Sequence, residues 1–140
     1  MLILDTSVVS ELMRRESDPR VLTWIVAQPA SSLFLTAITE AELRYGMALL
    51  PSGRRKELLL SALDDMLRED FARRILPFDR DAALEYAGIV ADRRQRGRPI
   101  AQFDAQIAAI ARSRNAGVVT RNHSDFSDCG IEVVNPWETS

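Results

Sequence analysis

A chain of 140 residues that is 46% hydrophobic is long enough to bury one core and short for two, so one domain over 1–140 is expected. Its 18 basic and 20 acidic residues leave a formal net charge of -2, which excludes a polybasic nucleic-acid binder and an acidic solvating tail. Any nucleic-acid contact must be local. Cys129 is the only cysteine, so no internal disulfide framework exists and a reducing compartment suits the chain. The opening Met1-Leu2-Ile3-Leu4-Asp5 lacks a basic segment and meets an acid too early for a signal peptide. No apolar run approaches the roughly 18–20 residues that span a bilayer. A cytoplasmic protein with no membrane partner is the expectation.

Leu2-Ile3-Leu4 is a short continuous apolar run that ends in Asp5-Thr6-Ser7, the pattern of a strand buried on both faces of a parallel sheet. Asp5 then falls at the carboxyl end of that strand, where open parallel sheets bind ligands. Ser7 can cap a short helix through Val8, Val9, Leu12 and Met13. Pro19 starts a second helix that Pro29 closes. Leu33-Phe34-Leu35-Thr36 is a second strand, and Thr39 opens a helix that Pro51-Ser52-Gly53 breaks.

The next helix is expected over 54–71, with Leu58, Leu59, Leu60, Leu63, Met66, Leu67 and Phe71 covering more than the stripe one core face requires. Either the core wraps around it or it lines an interface. Ile75-Leu76 is a third strand cut short by Pro77, and Asp79 or Asp81 caps a helix from Ala82 to about Arg96. Pro99 reopens a helix over 100–115, with Ala116-Gly117 as its stop. Val118-Val119-Thr120 and 131–134 complete five strands. Their alternation with helices predicts an α/β fold, a mostly parallel central sheet of about five short strands with helices on both faces.

Four carboxylates follow strands or sit on the helices after them: Asp5, Glu42, Asp104 and Asp125. Each has an ordinary alternative. Asp5 can cap the first helix, Glu42 stands at a capping-box spacing from Thr39, Asp104 can be a solvated helix position, and Asp125 lies in a loop rich in cap residues. If they converge, two like charges about 4 Å apart at an effective dielectric near 20 repel by roughly 4 kcal/mol, so the cluster needs a cation. Oxygen-only ligands select Mg²⁺ or Mn²⁺ over Zn²⁺. His123 is the only histidine, and it is read as a loop residue rather than a ligand.

Lys56 is the only lysine. Arg93, Arg94, Arg96 and Arg98 crowd Gly97, where they suit either RNA phosphate contacts or favourable charge at a helix C-terminus.

The joint pattern resembles the PIN-domain ribonucleases, and within them the toxins of VapBC-type toxin–antitoxin modules, the FitB-like branch above all. The matching segments are Leu4-Asp5-Thr6-Ser7 with Ser10-Glu11, Ile38-Thr39-Glu40-Ala41-Glu42-Leu43 with Gly46, and Ile75-Leu76-Pro77-Phe78-Asp79. Asp104 with Ile107-Ala108-Ala109, Thr120-Arg121-Asn122 with Asp125-Phe126, and Asn135-Pro136-Trp137 complete them in family order. The resemblance implies that Asp5, Glu42 and Asp104 are metal-binding acids, that Thr6, the hydroxyl directly after the first of them, has a better claim than Ser7 to hold a metal-bound water, and that the reaction is hydrolysis of RNA phosphodiesters. Some members carry an acid where this chain has Asn122; here Asp125 is the available carboxylate, so the fourth position is open between them. The resemblance also implies a cognate antitoxin, a homodimer, and DNA contact only through the antitoxin.

Metal-assisted hydrolysis would leave a 5′-phosphate and a 3′-hydroxyl, whereas a metal-free route through the 2′-hydroxyl normally needs two acid–base groups, and one histidine serves that poorly. Receiver domains and haloacid-dehalogenase-type phosphatases also place an aspartate after the first strand. Both use a lysine near the phosphoryl group, and Lys56 is far from any strand end. A catalytically silent module that acts only through an antitoxin in operon DNA binding is the other alternative.

Overall fold

The computed structural model describes residues 1–138, so Thr139 and Ser140 of the expected 1–140 domain lie outside the described residues. Five strands form one parallel sheet: β1 (Leu2–Leu4), β2 (Leu33–Thr36), β3 (Ile75–Leu76), β4 (Gly117–Val119) and β5 (Val133–Val134), in the order β3-β2-β1-β4-β5. Leu2 registers with Leu33 on one side and with Gly117 on the other, which makes β1 the central strand. The α/β class, the parallel sheet and its strand number are as the sequence predicts.

The strands are short because both faces must be dry. Ile3 and Val118 face one core, built with Ile89, Ile107, Ile110 and Phe126, while Leu4 and Val119 face a second, built with Val8, Val21, Leu35, Leu63 and Trp137. Fully burying each such side chain stabilises the fold by roughly 1.5–3 kcal/mol. Gly117 admits β4 to its neighbours: a Cβ there would stand 3.0 Å from Leu2 Cδ2 and 3.3 Å from the Glu132 carbonyl oxygen.

Seven helices cover the sheet: α1 (Thr6–Leu12), α2 (Pro19–Val26), α3 (Ala37–Ala48), α4 (Arg54–Asp65), α5 (Arg80–Gln95), α6 (Gln102–Ser113) and α7 (His123–Phe126). Several boundaries differ from expectation. Helix α3 starts before Thr39 because Thr36 Oγ1 accepts from the Thr39 amide and caps the helix directly from the end of β2. The expected 54–71 helix turns π-helical over Met66–Asp70, where the Phe71 amide reaches the Met66 carbonyl. That wider turn swings Leu67 and Phe71 into the core, although Leu58 stays 57% exposed. Asp79, rather than Asp81, caps α5. Helix α6 begins at Gln102, which moves Asp104 from mid-helix to the first turn. It stops at Asn115, whose left-handed φ of 53° lets the Ala116 amide return to the Ala111 carbonyl.

No helix among the described residues is long and apolar enough to cross a membrane.

Candidate active site

Strand order reverses at β1, where the chain runs outward through β2 and β3 and then crosses back to β4. Ligand crevices in open parallel sheets form at such switch points, outside the carboxyl ends of the strands. Asp5 stands there, 6% exposed, and its side chain makes no cap bond to α1. Its Oδ2 instead accepts from Thr120 Oγ1 at 2.9 Å and from Ser7 Oγ at 3.0 Å. The capping alternative for Asp5 is thereby excluded.

Thr120 is fully buried at the end of β4, and its hydroxyl also accepts from the Asn122 amide at 3.1 Å. It is the site residue the sequence reading left without a role. The threonine directly after a second apolar strand was the available signal. Ser7, expected to cap, holds Asp5 and accepts from the Arg121 amide at 3.3 Å.

Glu42 comes to the same region from α3. Because Thr36 is the cap, the capping-box alternative for Glu42 fails as well, and its Oε1 accepts from Thr6 Oγ1 at 2.8 Å. Thr6 Oγ1 also meets Thr39 Oγ1 at 3.0 Å, which couples the starts of α1 and α3. Asp104 rises from the first turn of α6. Burial, together with the charges of Asp5, Asp125 and Glu42, pushes its carboxyl up to about 6, against a partial offset from Arg93. The other three expected acids therefore all act on the Asp104 carboxyl. Asp125 lies on α7, a single turn where the sequence suggests a loop, and both it and Asn122 are exposed.

Among the described residues, no three His, Cys, Asp or Glu side chains already stand close enough to share one ion. The donor chemistry nonetheless suits a hard divalent cation: acids alone, one of them raised by burial and by the charge of the others. Asp5 is already fixed by two hydroxyls and Glu42 by one, whereas Asp125 is exposed.

The other singled-out residues divide differently. Arg93 is 4% exposed and donates to backbone carbonyls, so the expectation that it contacts RNA is corrected: a guanidinium enclosed by protein cannot reach a phosphate. Arg96 pairs with Asp92 and Arg98 with Asp128, both at the surface, and Arg94 is exposed with no carboxylate partner among the described residues. Lys56 donates to the Ala48 and Leu50 carbonyls and so closes the end of α3. Glu11 is buried, but it accepts from the Asp18 amide and Arg14 and serves the turn between α1 and α2. Tyr45, 67% exposed, and Phe103, 51% exposed, line a cavity of about 540 Å³ with Ala41 and Glu42. The sequence reading missed both, although one stands three residues after Glu42 and the other directly before Asp104.

A family model described as PIN domain matches residues 2–131, nearly the whole chain. The chain belongs to the PIN-domain family. Among PIN-family relatives it is 43% identical over 138 residues to the VapC ribonuclease Y4jK of Sinorhizobium fredii, with 99% of each chain covered. It is 40% identical over 137 residues to Toxin FitB of Neisseria gonorrhoeae, covering 98% of this chain and 99% of that one. Among solved structures, FitAB bound to an IR36 DNA fragment superposes with a TM-score of 0.94 at 38% identity, covering 100% of this chain and 98% of that one. The PIN resemblance drawn from the sequence motifs is confirmed by these likenesses.

Proposed function

We propose that this chain is a metal-dependent endoribonuclease and the toxin of a toxin–antitoxin pair. The observation that carries the reading is that Asp5 at the end of β1, Glu42 on α3 and Asp125 on α7 all bear on the half-buried carboxyl of Asp104 on α6, at the sheet's switch point. A scaffold would not concentrate like charge in this way without a cation to offset it. Similarity to a VapC ribonuclease and to Toxin FitB supports the same reading.

Asp5, Glu42 and Asp104 would hold Mg²⁺ or Mn²⁺, with Asp125 or Asn122 at the fourth position. When bound, such a cation activates the attacking water and offsets charge on the scissile phosphate and the leaving 3′-oxygen. The protein supplies the rest. Ser7 and Thr120 fix Asp5 in one orientation, and Thr6 fixes Glu42, so two acids need little reorganisation on binding. Exposed Arg94 contacts a phosphate, and Tyr45 and Phe103 stack bases of a single strand beside the acids. The products carry a 5′-phosphate and a 3′-hydroxyl.

The partner is a cognate antitoxin, which also supplies DNA binding; FitAB is a complex solved on DNA. Its docking segment occupies the apolar groove of about 660 Å³ lined by Leu12, Met13, Ile25, Leu59, Met66 and Phe71. The toxin works as a homodimer in the cytoplasm.

The test is cleavage of total cellular RNA by purified protein with Mn²⁺, with EDTA, and with Asp5→Asn. Metal-dependent cuts bearing 5′-phosphates, absent from the folded variant, are expected. Full activity in Asp5→Asn sinks the site assignment, and no cleavage by the folded, antitoxin-free protein leaves a silent module that acts through its partner.

A further inference from the structure

Arg93 is a buried cation that pairs with no carboxylate among the described residues. It sits near the end of α5, 4% exposed, and its Nε donates to the Arg98 carbonyl at 2.7 Å. Its Nη1 donates to the Asp125 carbonyl at 3.1 Å and the Ser127 carbonyl at 2.9 Å, and lies 3.7 Å from Cys129 Sγ. Enclosing a guanidinium is costly unless its donors are satisfied, and here backbone carbonyls from two segments satisfy them. Those carbonyls belong to the loop after α5 and to the stretch that carries Asn122 and Asp125.

Apart from the Thr120 hydroxyl on the Asn122 amide and buried Cys129 at its far end, that stretch has little to define it. Helix α7 is one turn, too short to persist alone, and Asn122 at its start makes no side-chain cap bond. Phe126, 1% exposed, anchors it in the core. One apolar anchor sets the depth of a turn but not its rotation about the ring. The two carbonyls held by Arg93 flank Phe126 on either side, and so set the direction in which the Asp125 side chain leaves the backbone. Exposed Arg98 adds a second tie, to Asp128 Oδ2 at 2.7 Å and Ser127 Oγ at 2.6 Å.

We propose that Arg93 is a positioning residue of the acidic site: its buried guanidinium orients the 122–129 segment, and with it Asn122 and Asp125, toward Asp5, Glu42 and Asp104. The proposal rests on the nuclease reading for the purpose of that orientation, though not for the tie itself. Lysine cannot replace the fork, because one ammonium reaches fewer of three separately directed carbonyls.

Hydrogen exchange of the full chain, together with Mn²⁺ titration, tests it on wild type, Arg93→Met and Arg93→Lys. In Arg93→Met the amides of 122–129 should exchange at least about tenfold faster while β1 and α6 keep their wild-type rates, with Arg93→Lys in between. The Mn²⁺ dissociation constant should rise by about tenfold in Arg93→Met, and less in Arg93→Lys. Unchanged exchange over 122–129 in a folded variant overturns the proposal. So does acceleration by the same factor throughout the chain, or failure of both variants to fold, since either makes Arg93 a support of the whole domain. A wild-type protein that neither binds Mn²⁺ nor cuts RNA removes the nuclease reading instead, and the exchange rates alone then judge the tie.

Discussion

Asp104 feels both burial and the charge of three other acids, and its carboxyl is raised to about 6. An acid raised in the folded state is stabilising below its unfolded value near 3.8, and that contribution is lost as pH rises through about 6. In metal-free protein at pH above this window, Asp104 is ionised and repelled. Asp104→Asn should therefore raise the melting temperature in EDTA at about pH 7.5, and the gain should vanish toward about pH 4.5. Thermal melts across pH check it; a gain of the same size at both ends would mean that packing, not charge, governs the residue. The pairing of Asp5 with Thr120, 115 positions away, shows the limit of sequence reasoning at this scale. Local spacing leaves Asp5 open between a cap and a ligand, and only the neighbouring strand end shows which hydroxyls hold its side chain.

Among the elements, α3 shows how a boundary sets a role. Thr36 is fully buried and caps the helix from the end of β2, which leaves Glu42 free to face Thr6. Thr36→Val keeps the shape and removes the cap, so it should cost about 1 kcal/mol, a fall of roughly 3–5 °C in melting temperature. It should also weaken Mn²⁺ binding by loosening the start of the helix that carries Glu42. Melts and a metal titration check both effects; normal melting with normal metal binding would show that another donor replaces the hydroxyl. The sequence marks α3, α5 and α6 well, because caps, apolar spacing and Pro or Gly stops all act locally. It misses the π-turn over Met66–Asp70 and the short α7, since neither has a local cause: Leu67, Phe71 and Phe126 are drawn inward by cores that other elements build.

For the molecule as a whole, two surfaces differ in chemistry: the acids at the carboxyl edge of the sheet and the apolar groove lined from α1, α2 and α4. Leu59→Arg places a charge in that groove and leaves Asp5, Glu42, Asp104 and Asp125 unchanged. It should abolish co-purification with the antitoxin while RNA cleavage by the isolated toxin stays within about twofold of wild type; charged surface changes away from a site typically shift stability by no more than about 0.5 kcal/mol. Retained antitoxin binding would place the partner elsewhere. The sequence by itself determined the fold class and the parallel sheet and marked four acids as candidates, because strand hydrophobicity, helix caps and residue chemistry are properties of short stretches. Only the tertiary structure decided that Thr6 holds Glu42, that Thr120 and Ser7 orient Asp5, and that Arg93 is enclosed rather than offered to RNA. Those outcomes depend on side chains far apart in the chain meeting at the point where strand order reverses, and burial there decides whether a charge faces solvent or protein.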